Sequence, residues 1–192
     1  MLPISGSEPV ERADAARNRQ KILRAAAKLV AARGVESLAL DAVAAEAGVG
    51  VGTVYRRYPD RGALAQALLD DREREFQQAF ISGPPPLGPG APARERIRAF
   101  VHAFVDRLET QGKLLMVAET ETPMARFTTG AYRLHHSHLA MLIAEAEPDA
   151  GVDADFRADA LLAPLAAAQY VHQRENGMTV ERIKAGFDQL LS

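Results

Sequence analysis

His135, His136 and His138 form the run HHSH, the densest group of side chains in this chain that can move protons or bind metal. With Leu134, Leu139 and Leu142 facing inward, helical spacing puts His135 and His138 on that same apolar stripe and turns His136 away. A buried imidazole needs hydrogen-bond partners. Two readings follow: neighbouring side chains satisfy the pair, or it faces a pocket and meets a polar ligand. Two histidines one turn apart could also begin a metal site, but no obvious carboxylate completes the set. Catalytic patterns are otherwise missing: there is no Gly-rich phosphate loop, no serine elbow and no His-Glu-x-x-His pattern. The chain has no cysteine, which excludes disulfides, zinc fingers, iron–sulfur clusters and thiol catalysis. No enzyme activity, metal or cofactor is expected.

A second group of chemically capable side chains is Thr53, Tyr55, Arg56, Arg57 and Arg61, within LALDAVAAEAGVGVGTVYRRYPDRGAL. These are hydrogen-bond donors, and an arginine fork suits guanine or phosphate equally. The surrounding spacing is that of a helix-turn-helix. Two short helices crossing closely need a small residue between them, supplied by Ala44. The turn needs a residue that tolerates positive φ, supplied four positions later by Gly48. The second helix needs a buried aliphatic, supplied by Val54, and Val43 and Val49 complete a small core.

The stretch from about Arg17 to Leu68 resembles the TetR family of one-component bacterial repressors, through RNRQKIL, AAAKLVAARG and DAVAAEAGVGVGTVYRRYPDR. The resemblance implies that Val51 and Gly52 open a recognition helix and meet base edges in the major groove. Val51 can read only a thymine methyl or shape, and Gly52 lets the backbone approach closely. It also implies that Thr53, Tyr55 and Arg57 contact phosphates, or a base edge for Tyr55. Arg56 reaches either kind of group or is simply solvated. Arg61, where the family usually has lysine, would clamp a phosphate with the N-terminus of its helix. Arg12, Arg17 and Arg19 either extend that footprint as an arm or begin an ordinary exposed helix. Two positions depart from the family: Ala39 replaces the usual threonine and Gly50 the usual serine. Alanine forfeits a cap hydrogen bond, roughly 1 kcal/mol, and both changes reduce the phosphate contacts available.

The elements that must hold these residues are helical almost throughout, and about nine helices are expected. Residues 1–13 read as a flexible arm and 14–60 as a three-helix DNA-binding domain. Residues 61–192 read as a helical ligand-binding and dimerisation domain. The expected helices run from Asp14 to Gly34, Ala39 to Ala47, Val51 to Tyr58 and, after Asp60 as N-cap, Arg61 to Ile81. Pro-rich Ser82–Pro92 is a loop. Further helices are expected over Ala93–Thr110, within Lys113–Thr122 up to Pro123, and over Ala131–Ala146. The last two are Asp155–Arg174, kinked or interrupted at Pro164, and Thr179–Leu191. Residues 1–62 carry a net charge of +3 within a chain of net charge −2, so only the head has the sign to suit a polyanion. With no apolar run long enough to span a membrane and no signal-like N-terminus, a cytoplasmic protein is expected.

One such head makes a modest DNA interface, so a homodimer on a palindromic operator is the expected partner arrangement. Ala158–Val171 is apolar nearly all round its helix and needs cover on two sides. Either a second subunit supplies one side or the helix is internal. Together with the resemblance, this names Asp155–Leu191 as the dimer interface, with Leu161, Leu162, Leu165 and Phe187 in it. Phe100, Phe104, Met116, Met124, Phe127 and Tyr132, with His135 and His138, either line a cavity for a small organic effector or fill an ordinary core. The resulting expectation is a repressor released by its effector, and the alternative is a ligand-independent DNA-binding regulator or activator.

Overall fold

The computed structural model describes the backbone of residues 8–120, 124–148 and 151–191, and the side chains of these apart from residues 8–13, 125 and 128. Among the described residues every regular element is helical. In chain order these are α1 (Glu8–Arg33), α2 (Leu40–Ala47), α3 (Val51–Arg57), α4 (Arg61–Ser82), α5 (Ala93–Thr120) and α6 (Ala125–Thr128). Then come α7 (Gly130–Ala146), α8 (Ala154–Leu162), α9 (Ala167–Glu175) and α10 (Val180–Leu190). No described helix is long and apolar enough to cross a membrane. The chain divides into two compact units, Met1–Leu68 and Leu69–Ser192, so the boundary falls inside α4.

In the first unit Ile22, Ala26 and Leu29 of α1 pack with Leu38, Val43, Ala44, Val54, Tyr58 and Leu64, all buried. Gly48 ends α2 at φ 63°, ψ 37°, the left-handed conformation that the turn demands and that a Cβ would penalise. Helices α2 and α3 start at Ala39 and Gly50 without a side-chain cap. Asp60 does cap α4, accepting from the Ala63 amide at 2.6 Å. Helix α1 begins at Glu8 rather than near Asp14, because its first turns carry almost no apolar residues and so leave no periodic trace. The earlier part of the expected arm, residues 1–7, and the Arg12 side chain lie outside the described residues.

The second unit is built on α5, which packs against α7, α9 and α10, while α7 also packs against α8. Two boundaries differ from expectation. Residues 93–120 form one helix, not two, because Gly112 stays helical where α9 crosses it. A Cβ there would stand 3.5 Å from Tyr170 Cδ1 and 3.6 Å from Val171 Cγ2. The one-turn α6 has no counterpart among the expected helices, and Pro123, expected as a breaker, lies outside the described residues. Pro164 does interrupt its helix, leaving a single 3-10 turn, Ala163–Leu165, between α8 and α9. The groups freed by the break are taken up by side chains: Arg126 Nη2 donates to Leu162 O at 2.5 Å and Ala167 N donates to Glu119 Oε2 at 3.0 Å. Burial raises the Glu119 carboxyl and lowers the Arg126 guanidinium from their ordinary values.

Candidate functional site

Helix α3 separates its side chains cleanly. Val54 faces inward and is fully buried beside Ala44 of α2, which fixes the helix on its support. Val51 and Tyr55 are 46% and 48% exposed, and Gly52, Arg56 and Arg57 are exposed with them. Thr53 is half-buried. Together with Arg56 and Arg57 it borders a groove of about 400 Å³ whose other wall is Asp14, Asn18, Arg19 and Ile22 of α1. Neither Arg56 nor Arg57 has a carboxylate partner among the described residues, and the Tyr55 hydroxyl makes no hydrogen bond there. Two uncompensated guanidiniums and a free phenol on one rigid, solvent-facing helix can bind an anion without first breaking an internal pair.

Arg61 stands apart from that surface. Its Nη2 donates to Val35 O at 2.6 Å and lies 3.5 Å from Glu36 Oε2. Asp60 already uses an amide at the start of α4, so a phosphate arriving there meets a carboxylate rather than a vacant helix end. Arg17, read as an arm residue, pairs with Asp14.

In the second unit the residues expected around an effector fall in two places. Phe100, Phe104, His135 and His138 converge with Phe76 and Phe80 of α4 into one packed aromatic cluster. The His138 ring is 4.5 Å from that of Phe80, and the His135 ring 5.4 Å from that of Phe104. Phe127 and Tyr132 instead meet edge to face at 5.0 Å, bordering a cleft of about 510 Å³ with Met124, Arg126 and Asp159. Met116 is only partly buried against the core. The division arises because α6 carries Phe127, 48% exposed, out of the stripe that periodicity alone would assign.

The cluster also holds charges. Glu73 of α4 is buried and pairs with Arg107 of α5, equally buried, while Gln77 Nε2 donates to Glu73 Oε1 at 2.6 Å. His135 Nε2 lies 2.9 Å from Glu73 Oε1, but off the direction of a well-formed hydrogen bond. Burial by itself would raise the Glu73 carboxyl; His135, Arg107 and Gln77 outweigh that and hold it at about 2. His138 is brought down to about 4, first by burial and then by Arg96 and His135, so its ring is neutral at pH 7. His136 points away as expected, with Nε2 3.2 Å from Asp155 O. No group of three or more potential metal ligands occurs among the described residues.

Leu161, Leu162, Leu165 and Phe187, expected at a subunit interface, are buried in the chain's own core. Their cover comes from within the unit, so α8, the turn at Ala163–Leu165 and α10 use these side chains to close the fold. Sequence reasoning also passed over Glu73, Arg107, Phe76 and Phe80. The signal was present, since 69, 73, 76 and 80 form one helical stripe on which Glu73 is the only charge.

Comparison with known proteins adds to this geometry. The family model described as bacterial regulatory proteins, tetR family, matches residues 22–68. The matched residues all lie in the first unit and include α2 and α3. An HTH-type transcriptional regulator of Staphylococcus aureus (strain USA300) is 43% identical over 58 residues, 30% of this chain and 31% of that protein. The likeness to these curated relatives thus spans about a third of their length. FadR from Bacillus halodurans shares the fold of nearly the whole chain, with a TM-score of 0.65, 17% identity, and coverage of 91% and 94% of the two chains. FadR from Bacillus subtilis, solved in complex with stearoyl-CoA, gives a TM-score of 0.65 at 15% identity, over 90% and 96%. A TetR-like transcriptional regulator from Rhodococcus sp. RHA1 gives 0.58 at 23%, over 91% and 93%.

Proposed function

We propose that this chain is a TetR-family, sequence-specific DNA-binding transcriptional regulator, a repressor released from a palindromic operator by a small organic effector. One observation carries the reading: α3 is anchored by Val54 and offers solvent an unpaired set, Tyr55, Arg56 and Arg57, beside Val51 and Gly52. Val51 and Gly52 enter the major groove against base edges, where Val51 reads a thymine methyl or groove shape. Thr53, Tyr55, Arg56 and Arg57 hold the phosphate backbone and set register. Arg61 supports the head through Val35 and contributes less to phosphate than the lysine usual in the family.

The body, residues 61–192, acts as sensor and dimerisation domain, and the 14–60 segment as the DNA-binding module. The ligand in the Bacillus subtilis FadR structure supports a small-molecule sensor on this fold. The homodimer forms through residues 155–191, where Phe156 and Leu190 remain 69% and 65% exposed. Recognition helices of the two subunits must sit roughly 34–36 Å apart to enter successive major grooves, so an effector acts by changing that separation. It does so only if it binds the two conformations with different affinity.

Selection of bound fragments from a genomic library, followed by sedimentation at micromolar concentration, tests the proposal. Recovery of one palindromic sequence and a dimeric mass are expected. Binding without sequence preference, or a monomer, overturns it.

A further inference from the structure

Helix α5 places an arginine at each end of its aromatic stripe: Arg96 and Arg107 flank Phe100 and Phe104 at helical spacing. The two are treated differently. Arg107 is neutralised by buried Glu73. Arg96 has no carboxylate partner among the described residues, and its Nε is buried without a hydrogen bond. On α7, His138 is 8% exposed and its Nε2 is likewise buried and unpartnered. The two groups are close enough for the Arg96 charge to disfavour protonation of His138. Buried polar nitrogens are rarely left without an acceptor, and here two from different helices lie at one end of an aromatic cluster. The His138 ring lies 4.5 Å from Phe80 and 5.6 Å from Phe100, so the walls beside these nitrogens are aromatic.

We propose that Arg96 and His138 receive the carboxylate of an acidic, otherwise apolar effector whose ring or hydrocarbon part lies against Phe80 and Phe100. The inference rests on reading the body as a sensor. The charges specify a monoanion: one unpaired guanidinium and one neutral imidazole balance a single negative charge. A phosphate dianion would leave charge uncompensated in an apolar setting. The guanidinium fork and the imidazole N–H both donate to carboxylate oxygens.

The test is calorimetric titration of the full chain with 3-phenylpropionate and octanoate, beside 3-phenylpropanol and octanol. At least one acid is expected to bind roughly tenfold or more tightly than its alcohol, the scale of a hydrogen bond to a charged group. Arg96→Gln and His138→Phe should each remove that advantage while barely moving alcohol binding. Arg96→Gln decides the matter if His138→Phe fails to fold, since Arg96 is only partly buried. Alcohols binding as tightly as acids, acids binding Arg96→Gln undiminished, or no binding of either acid overturns the proposal. An operator-release assay separates it from the sensor reading. Neutral compounds alone releasing DNA would overturn the carboxylate site and leave the sensor intact. Acids that bind through Arg96 without affecting DNA would keep the site and overturn the sensor.

Discussion

Replacing Glu73 by glutamine exchanges one oxygen for one nitrogen, yet it is expected to cost the body roughly 3 kcal/mol. Glu73 is 7% exposed and pairs with Arg107, itself 8% exposed. Burial would raise the Glu73 carboxyl, but His135, Arg107 and Gln77 outweigh burial and hold it at about 2 rather than 4.5. That difference corresponds to roughly 3 kcal/mol, at about 1.4 kcal/mol per tenfold. Mutational experience with buried ion pairs points the same way, since removing one partner costs roughly 3–5 kcal/mol by stranding the other charge. The stranded charge here is Arg107, which glutamine cannot neutralise.

The pH dependence tests the cause as well as the size. The folded-state value lies below the unfolded one, so the contribution is complete above about pH 5 and disappears as pH falls toward 2. Protonated Glu73 leaves Arg107 in the state that glutamine creates, so the wild-type advantage should fall to about half near pH 3. Other carboxylates titrate in both proteins and cancel in the comparison. Urea melts followed by far-UV circular dichroism at pH 7, 5 and 3 measure the gap, and a fall of roughly 10 °C in Tm at pH 7 accompanies it. A gap under about 1 kcal/mol at pH 7, or one unchanged between pH 7 and 3, refutes the reasoning.

The head and the α5–α9 crossing give further expectations. Arg56→Gln and Arg57→Gln should each weaken DNA binding across all sequences and reduce the salt slope by about 1, with Tm unchanged, as fluorescence anisotropy over a salt series would show. Arg61→Ala should lower the head's stability by about 1 kcal/mol in a urea melt, because its hydrogen bond to Val35 O is lost. Gly48→Val should lose roughly 1–2 kcal/mol or more at φ 63° and impair DNA binding through the misplaced α3. Gly112→Ala should instead raise thermal stability by roughly 0.5–1 kcal/mol, since its Cβ would meet Tyr170 at an ordinary 3.5 Å in mid-helix.

The head was legible because a helix-turn-helix constrains side chains locally. Ala44, Gly48 and Val54 lie within eleven residues, each forced by a contact or a dihedral angle that few other residues satisfy, and the structure puts each to that use. The body offers no such constraint. Its helices were found from periodicity, but periodicity says which stripe is apolar and not what covers it. That is how Leu162 and Phe187 were assigned to a subunit seam when the chain's own helices bury them. The break expected between Thr110 and Lys113 fails for a related reason: Gly112 lowers the intrinsic preference for helix, while the residues that pack against it, Tyr170 and Val171, are remote in sequence. Glu73 carried a readable anomaly, a charge on an apolar stripe, but apart from Gln77 its partners sit on α5 and α7 and no local pattern names them. The aromatic and charged cluster around Glu73 is therefore specified by residues distant in sequence that become neighbours only on folding. A sequence can announce a DNA-reading head in one short segment, whereas a ligand-reading interior is dispersed along the chain and can change its walls without disturbing any local signal.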